Sequence, residues 1–420
     1  MTDIFQDLRW RGLIKDSTDP DELAKNLANG PVTFYAGFDP TGPSLHIGHM
    51  VQILTARRLQ HAGHRPLLLV GGATGLIGDP KDSGERVLNS PDVVADWVGR
   101  LQRQMTPFVA FSGEHAARVV NNLDWTSAMS AVEFLRDVGK HFPVNQMLSR
   151  DVVKNRLAAG GISFTEFSYQ ILQANDYFEL NRRHGCTLQF GGSDQWGNIT
   201  AGVDYCRRRG VSDATAFTTP LVTRADGTKF GKTADGQSVW LDAEMTSPYA
   251  FYQFWFNVED GDVGRYLRYF SFRPRAEIEE LERQTAERPA ARSAQRALAE
   301  ELTSLVHGEG EMSQVVTASK ALFGRGDLAE LDAGTLRAAL AEAGLVSVSE
   351  LPGVATLLKQ SGLTSSLSEA RRAVAEGGAY VNNERVTDPD AAVGVDRLLH
   401  GRYLVLRRGK RSIAGVELTG

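Results

Sequence analysis

At 420 residues the chain is long enough for two to four domains and a sizeable core. Its 42% hydrophobic and 23% charged residues are the composition of a globular protein, and a formal net charge of −5 excludes any global attraction to polyanions. The two cysteines, Cys186 and Cys206, form no C-x-x-C pair and no disulfide framework, the N-terminal stretch has no apolar signal region, and no segment has the length and apolarity of a membrane span, so a cytoplasmic protein without a membrane partner is expected.

The first half alternates strand-like and helix-like segments. Residues 31–38, PVTFYAGF, are β-branched and aromatic, and residues 46–64 read as a helix. Residues 66–72, PLLLVGG, form a short apolar run ending in glycines, as buried parallel strands do. A helical stretch follows near residues 91–110. Residues 167–178, FSYQILQANDYF, predict a helix with two stripes: Phe167, Ile171, Ala174 and Phe178 on one face, and Tyr169, Gln173 and Asp176 on nearly the opposite one. That polar stripe is either solvated surface or the wall of a pocket. Residues 186–192 read as a strand and the segment from Ser193 to Gly210 as a helix. Strands alternating with helices predict an α/β fold with a parallel sheet covered on both faces, and ligands bind beyond the carboxyl ends of such strands.

From Ser247 to about Phe323 the chain becomes helical and charged, and residues 324–334 look like a joint. The last 70 residues carry ten Lys and Arg against seven Asp and Glu, a local excess of positive charge on an acidic chain. They read as a short helix with Arg371 and Arg372, a Gly-Gly turn, a strand with a tight turn, and a strand ending in Arg407, Arg408, Lys410 and Arg411. A small module with such a patch is either a nucleic-acid footprint or a solvated hairpin end.

Four strings carry chemistry. FDPTGPSLHIGHM, residues 38–50, follows the first strand, with turn residues and then His46 and His49 on one helical turn around Gly48. Glycine there costs about 1 kcal/mol against alanine, so close approach of a flat ligand is one reason for it. A helix start after a parallel strand attracts phosphate, to which two neutral imidazoles can donate hydrogen bonds. Zinc binding and helix capping are the competing uses of the pair, but zinc lacks a third ligand at normal spacing. GGATGLIGDPKDSGER, residues 71–86, is a glycine-dense loop with Asp79, Lys81 and Arg86, and it is not a P-loop. FGGSDQWGNI, residues 190–199, joins a Gly-Gly pair to Asp194 and Gln195, where Asp194 could equally be a helix cap. KFGKT, residues 229–233, puts two lysines on a glycine loop suited to transient capture of a polyanion.

HIGH at residues 46–49 followed by KFGKT resembles the two signatures of the class I aminoacyl-tRNA synthetases. Within that class, YAGFDPTGPSLHIGH, GGATGLIGDP, SYQILQANDYFEL and GGSDQWGNI are similar to the bacterial tyrosyl-tRNA synthetases, and the C-terminal segment is similar to the small RNA-binding module shared with a ribosomal protein. The resemblance implies a Rossmann-like catalytic domain over residues 1–246, with dimer-interface helices at about 129–160 and a mobile lysine loop at 224–238. It further implies an α-helical domain on the tRNA anticodon side over 247–328, a linker at 329–350, and a small α+β RNA-binding domain over 351–420.

The implied reaction is formation of tyrosyl-adenylate from tyrosine and ATP with Mg2+, then transfer of tyrosine to the 3′ end of its tRNA by a homodimer holding no structural metal. The implied catalytic residues are Thr41, His46, His49, Lys81, Arg86, Lys229 and Lys232, around the phosphates. Tyr35, Asp79, Tyr169, Gln173, Asp176 and Gln195 would hold tyrosine, with an ionised Asp176 accepting from its phenol. Gly37, Asp39, Gly48, Gly192 and Asp194, with the two histidines and Lys232, would border ATP and the adenylate. The RNA-binding candidates are the six basic residues of the C-terminal patch. The loop DPKDSGER is shorter than the familiar pattern, so Lys81 is matched by role, and Ala36 has no group to hydrogen-bond a ribose. Two other readings stay open: a tryptophanyl-tRNA synthetase or a nucleotidyltransferase sharing only the phosphate site, and a non-catalytic RNA-binding relative.

Overall fold

The computed structural model describes residues 3–80, 88–228, 230–232, 236–324, 326–409 and 412–419. Its contacts divide the chain into two compact units, Met1–Asp242 with Glu259–Ala294, and Ala243–Val258 with Gln295–Gly420. The helical stretch expected over 247–328 is therefore shared: helices Asp260–Phe270 and Arg275–Glu287 lie in the first unit.

The first unit is built on six strands, β1 (Asp16–Ser17), β2 (Thr33–Phe38), β3 (Arg65–Val70), β4 (Arg118–Asn121), β5 (Cys186–Gly192) and β6 (Thr215–Thr219), in the order β1-β6-β5-β2-β3-β4. All neighbours are parallel except β1, which pairs antiparallel with β6. From β2 the chain winds outward to β3 and β4, and later from β5 to β6 on the other side. The switch in direction lies between β2 and β5, which opens a crevice at their carboxyl ends.

Alternation along β2 decides what faces what. Tyr35 joins Leu67, Leu69, Tyr177, Leu180 and Cys186 in one core under the helix Phe164–His184. Phe34 and Phe38 point the other way, toward Phe190 and toward His49 of the helix Ile47–His61. The predicted strands at 31–38, 66–72 and 186–192 correspond to β2, β3 and β5. Short β4 and β6 escaped the sequence reading because four or five residues leave little periodicity.

The segment expected to supply interface helices near 129–160 is broken. It runs as a helical turn Ala131–Glu133, a π-helical turn Phe134–Val138, a 3₁₀ turn Gly139–His141, and helices Val144–Leu148 and Asp151–Ala158. Gly139 weakens the helix there, and Pro143, which can only start one, precedes Val144.

In the second unit, helices Pro248–Phe256, Ser293–His307, Glu309–Leu322 and Ala333–Ala343 accompany a five-stranded sheet. Its strands are β7 (Leu345–Val348), β8 (Ala379–Val381), β9 (Glu384–Arg385), β10 (Tyr403–Arg408) and β11 (Ser412–Leu418), in the order β7-β11-β10-β8-β9. Helices Val354–Gln360 and Leu367–Ala375 cover it, burying Leu357, Leu358, Val374, Leu404, Leu406 and Val416 in one core. Residues 329–350, expected as a linker, contain the helix Ala333–Ala343 and the strand β7, which pairs parallel with β11. Asn382 and Asn383, both at positive φ, make the two-residue turn from β8 to β9, and Asn383 Nδ2 donates to the Ala321 carbonyl at 2.6 Å.

Gly415 of β11 marks how closely that helix and β7 approach. A Cβ there would stand 2.7 Å from Leu340 Cβ and 2.8 Å from Leu345 Cδ1. Gly415→Ala is expected to cost about 1–3 kcal/mol through overpacking, read as a lower unfolding midpoint. An unchanged midpoint would contradict that packing.

Candidate active site

The crevice beyond β2 and β5 is a cavity of about 770 Å³. Every described candidate for tyrosine and nucleotide binding lines it except Lys232. Tyr35 and Gly37 come from β2, with Asp39 and Thr41 just beyond it. His46, Gly48 and His49 open the helix Ile47–His61. Asp79 comes from the loop after β3, Tyr169, Gln173 and Asp176 from the helix Phe164–His184, and Gly192, Asp194 and Gln195 from the end of β5. The polar stripe of that helix is thus a cavity wall, with Tyr169 and Asp176 buried and Gln173 half-buried.

A chain of hydrogen bonds, part-buried at Asp39 and buried at Asn122 and Asp176, organises the floor. The Tyr169 hydroxyl donates to Asp39 Oδ2 at 2.6 Å, and the Thr74 hydroxyl donates to Asp39 Oδ1 at 2.7 Å. Asn122 Nδ2 donates both to Thr74 Oγ1 and to Asp176 Oδ2, each at 3.0 Å. Its Oδ1 accepts from the Ala73 amide at 2.7 Å. Trp125 Nε1 donates to Asp176 Oδ1 at 2.8 Å. Burial pushes the Asp176 carboxyl up to about 7; the bonds from Asn122 and Trp125 pull it down, and Asp39 and Glu179 add to the rise. Against the expectation of an ionised Asp176, burial thus favours its protonated form more than that of a free carboxylate. The Tyr35 hydroxyl is buried beside it and has no hydrogen-bond partner among the described residues, and Gln189 Oε1 of the same cavity also lacks one.

Asp79 accepts from Gln195 Nε2 at 2.9 Å and from Asn198 Nδ2 at 3.1 Å. The sequence reading missed Asn198, although it lies inside the GGSDQWGNI string. It also missed Thr74, Asn122 and Trp125. Thr74 sat in a quoted glycine loop, whereas Asn122 and Trp125 sit just after β4 in no pattern that marks a site.

At the helix start, the Gly48 amide donates to His46 Nδ1 at 3.0 Å and the His46 amide to His49 Nδ1 at 3.2 Å. The rings stack with centroids 3.9 Å apart. Burial lowers the pKa of both, and His46 lowers that of His49 further, so both imidazoles are neutral at neutral pH. With each Nδ1 accepting, the remaining proton of each ring sits on Nε2 as a donor. Capping and phosphate binding are thus compatible uses of one pair. Gly48 has a further reason: a Cβ there would stand 2.7 Å from the His46 ring. Among the described residues no group of three or more His, Cys, Asp or Glu is placed to hold a metal ion.

The lysine loop meets this helix start through its backbone. The Ile47 amide donates to the Val239 carbonyl at 3.1 Å, Val239 N to Gly231 O at 3.0 Å, and Leu241 N to Leu45 O at 2.8 Å. Lys232 is exposed and bridges to Ser238. Lys81, Arg86 and Lys229 lie outside the described residues, as do Lys410 and Arg411. Of the other basic candidates, Arg371 pairs with Asp390 at 2.9 Å, Arg408 pairs with Glu369 at 2.8 Å, Arg407 stacks on Tyr380 at 4.0 Å, and Arg372 is exposed. Two of the four charges are therefore partly compensated within the module.

Residues 27–324 match the family described as tRNA synthetases class I (W and Y), and residues 342–414 match the tyrosine–tRNA ligase SYY-like C-terminal domain. The chain is 64% identical to the tyrosine–tRNA ligase of Streptomyces coelicolor, covering 100% of both chains, and 62% identical to that of Streptomyces griseus, covering 100% of this chain and 99% of the other. Among solved structures it is similar to a C-terminally truncated mitochondrial tyrosyl-tRNA synthetase of Aspergillus nidulans, at 32% identity and a TM-score of 0.69, covering 77% of this chain and 95% of that one. The chain belongs to the tyrosine–tRNA ligases, within the class I tRNA synthetases.

Proposed function

We propose that the chain joins L-tyrosine and Mg-ATP into tyrosyl-adenylate with release of pyrophosphate, then passes tyrosine to the 3′ end of tRNA(Tyr). The observation that carries this reading is the buried pair at the cavity floor: Asp176 held by two donors, beside a Tyr35 hydroxyl with no partner among the described residues. A phenol placed there donates to Asp176 and accepts from Tyr35. Phenylalanine would leave the buried Tyr35 hydroxyl unpaired and give Asp176 no third donor, and that penalty is the source of selectivity.

Tyr169 and Asp176 are seven residues apart on one helix, roughly 10 Å along its axis at 1.5 Å per residue. That length spans tyrosine from ammonium to phenol. Tyr169 and Gln173, with Asp79, hold the ammonium, and Gln195 reaches the carboxylate. The carboxylate attacks the α-phosphorus directly, so catalysis is positioning plus stabilisation of the leaving phosphates. Thr41, His46 and His49 donate to the β- and γ-phosphates. Neutral imidazoles suit this role, since they offer Nε2–H without the cost of burying a second charge. Lys232 with Lys229, and Arg86 with Lys81, supply cations around the pyrophosphate. Gly37, Asp39, Gly48, Gly192 and Asp194 border the nucleotide, with Asp194 at the exposed rim facing the ribose.

The tRNA is held by the helical segment 247–328 on its anticodon side and by the module 351–420 through Arg371, Arg372, Arg407, Arg408, Lys410 and Arg411, with 329–350 as the connection. The protein acts as a cytoplasmic homodimer through the broken segment at about 129–160. The exposed Val132, Leu135, Val144, Leu148 and Leu157 support that interface, because isolated solvent-facing apolar residues are common but a run of them marks a contact.

Amino-acid-dependent ATP–pyrophosphate exchange tests the reading. Tyrosine should support exchange, and tryptophan and phenylalanine should fail; no exchange with tyrosine would sink it. The kcat/KM for tyrosine should fall as pH drops through about 7, because protonation removes an acceptor from Asp176. Burial lowers both histidines from their ordinary value. Asp176→Asn should lose the inflection and lower kcat/KM for tyrosine about 10- to 100-fold, the value of a hydrogen bond to a charged group. A profile identical to the wild type would refute the phenol assignment. Arg372→Glu with Arg407→Glu should weaken tRNA binding and flatten its salt dependence while sparing exchange. Unaltered charging would rule the module out as the tRNA clamp.

A further inference from the structure

The wall of the cavity formed by the arm before Lys232 is held from outside the site. The Thr223 carbonyl accepts two hydrogen bonds from the helix Asp260–Phe270, from Arg265 Nη2 at 2.6 Å and from the Tyr266 hydroxyl at 2.9 Å. The Ala225 amide donates to Asp262 Oδ2 at 3.1 Å, while the other oxygen of Asp262 accepts from Arg265 Nη2 at 2.6 Å. The Phe230 ring lies on the Tyr266 ring, centroids 4.2 Å apart. Val222, Thr223 and Phe230 line the cavity. The arm is closed on itself by Phe230 N donating to Val222 O at 3.1 Å, and its far end is bonded through Val239 to the Ile47 amide beside His46.

We propose that Asp262, Arg265 and Tyr266 are positioning residues for the nucleotide half of adenylate formation: a clasp that sets the arm carrying Phe230 and Lys232 against the helix start carrying His46 and His49. The inference rests on the functional reading above. Its physical content is the placement of polar groups. Asp262 is buried, and it shares its two oxygens between Arg265 and a loop amide. A buried carboxylate and a guanidinium directed at the backbone of an otherwise exposed loop add little to a core. They fix the loop in one position, and that position forms the wall of the site. The helix is a rigid anchor, because Arg11 and Arg58 both donate to the Ser271 carbonyl at its end, and Arg268 pairs with Glu282 of the next helix at 2.8 Å. None of the three clasp residues lines the cavity, so none is expected to touch substrate.

Tyr266→Phe removes one bond to Thr223 and keeps the ring under Phe230; Asp262→Asn weakens the amide contact and the hold on Arg265. In tyrosine-dependent exchange, kcat/KM for ATP should fall about threefold to fivefold in the first and about tenfold or more in the second, with KM for tyrosine within twofold of the wild type. Asp262→Glu should restore part of the loss. In the absence of any substrate, trypsin should cut after Arg224 faster in both variants. Unchanged ATP parameters with unchanged cleavage would overturn the clasp. So would equal losses for tyrosine and ATP with a lowered melting temperature, the mark of a merely structural role. A wild-type chain with no tyrosine-dependent exchange would instead overturn the functional reading and the clasp's catalytic purpose with it, while the cleavage result would still report whether the loop is held.

Discussion

The site depends on the buried hydrogen-bond chain that runs from Tyr169 through Asp39, Thr74 and Asn122 to Asp176 and Trp125. Two carboxylates near each other below a hydrophobic sheet edge are costly, and the protein handles them differently. Asp39 is held by two hydroxyl donors, whereas burial pushes Asp176 up to about 7 despite the bonds from an amide and an indole. Asn122 makes the arrangement possible. Its two amide hydrogens serve Thr74 and Asp176, its oxygen serves the Ala73 amide, and it is fully buried. The members of the chain come from just after β2, β3 and β4 and from the helix Phe164–His184. The parallel order of the strands is thus a precondition for the chemistry, since any other order would scatter these donors.

The histidine pair follows a different logic. Both rings are kept neutral by burial and locked into one tautomer by backbone amides, so their orientation is built into the helix start. Preorganised neutral donors lose less on leaving water than cations would. The glycine between the histidines serves first to admit the His46 ring.

What could be read from the sequence was whatever is local. The strand–turn–helix string around His46, the stripe of Tyr169, Gln173 and Asp176, and the edges of β2, β3 and β5 depend on neighbours in the chain, and periodicity and turn chemistry report those. Asn122 and Trp125 matter only because β4 ends beside β3, a long-range fact with no local signature. The short segments around Gly139 and Pro143 could be read as apolar but not as a broken helix. The basic C-terminal patch was legible as charge. Its internal pairing, Arg371 with Asp390 and Arg408 with Glu369, depends on the fold of the module.

The two halves of the cavity are therefore held by different kinds of bond. The floor is cross-linked by side chains that follow β2, β3 and β4 and by the helix Phe164–His184, so it should open only when these elements separate. The rim is held by backbone bonds to the segment around His46 and by Asp262, Arg265 and Tyr266 of a helix outside the cavity. A reaction with a small, fixed substrate and a large, departing pyrophosphate calls for that asymmetry. In the proposed reading tyrosine is measured against a fixed hydroxyl site, while the groups around the phosphates let the product go. On the proposed assignment, the hydrogen-bonded Asp176 and the tethered Thr223 answer two demands of one reaction, and the fold separates them by placing one on a buried helix and the other on a loop.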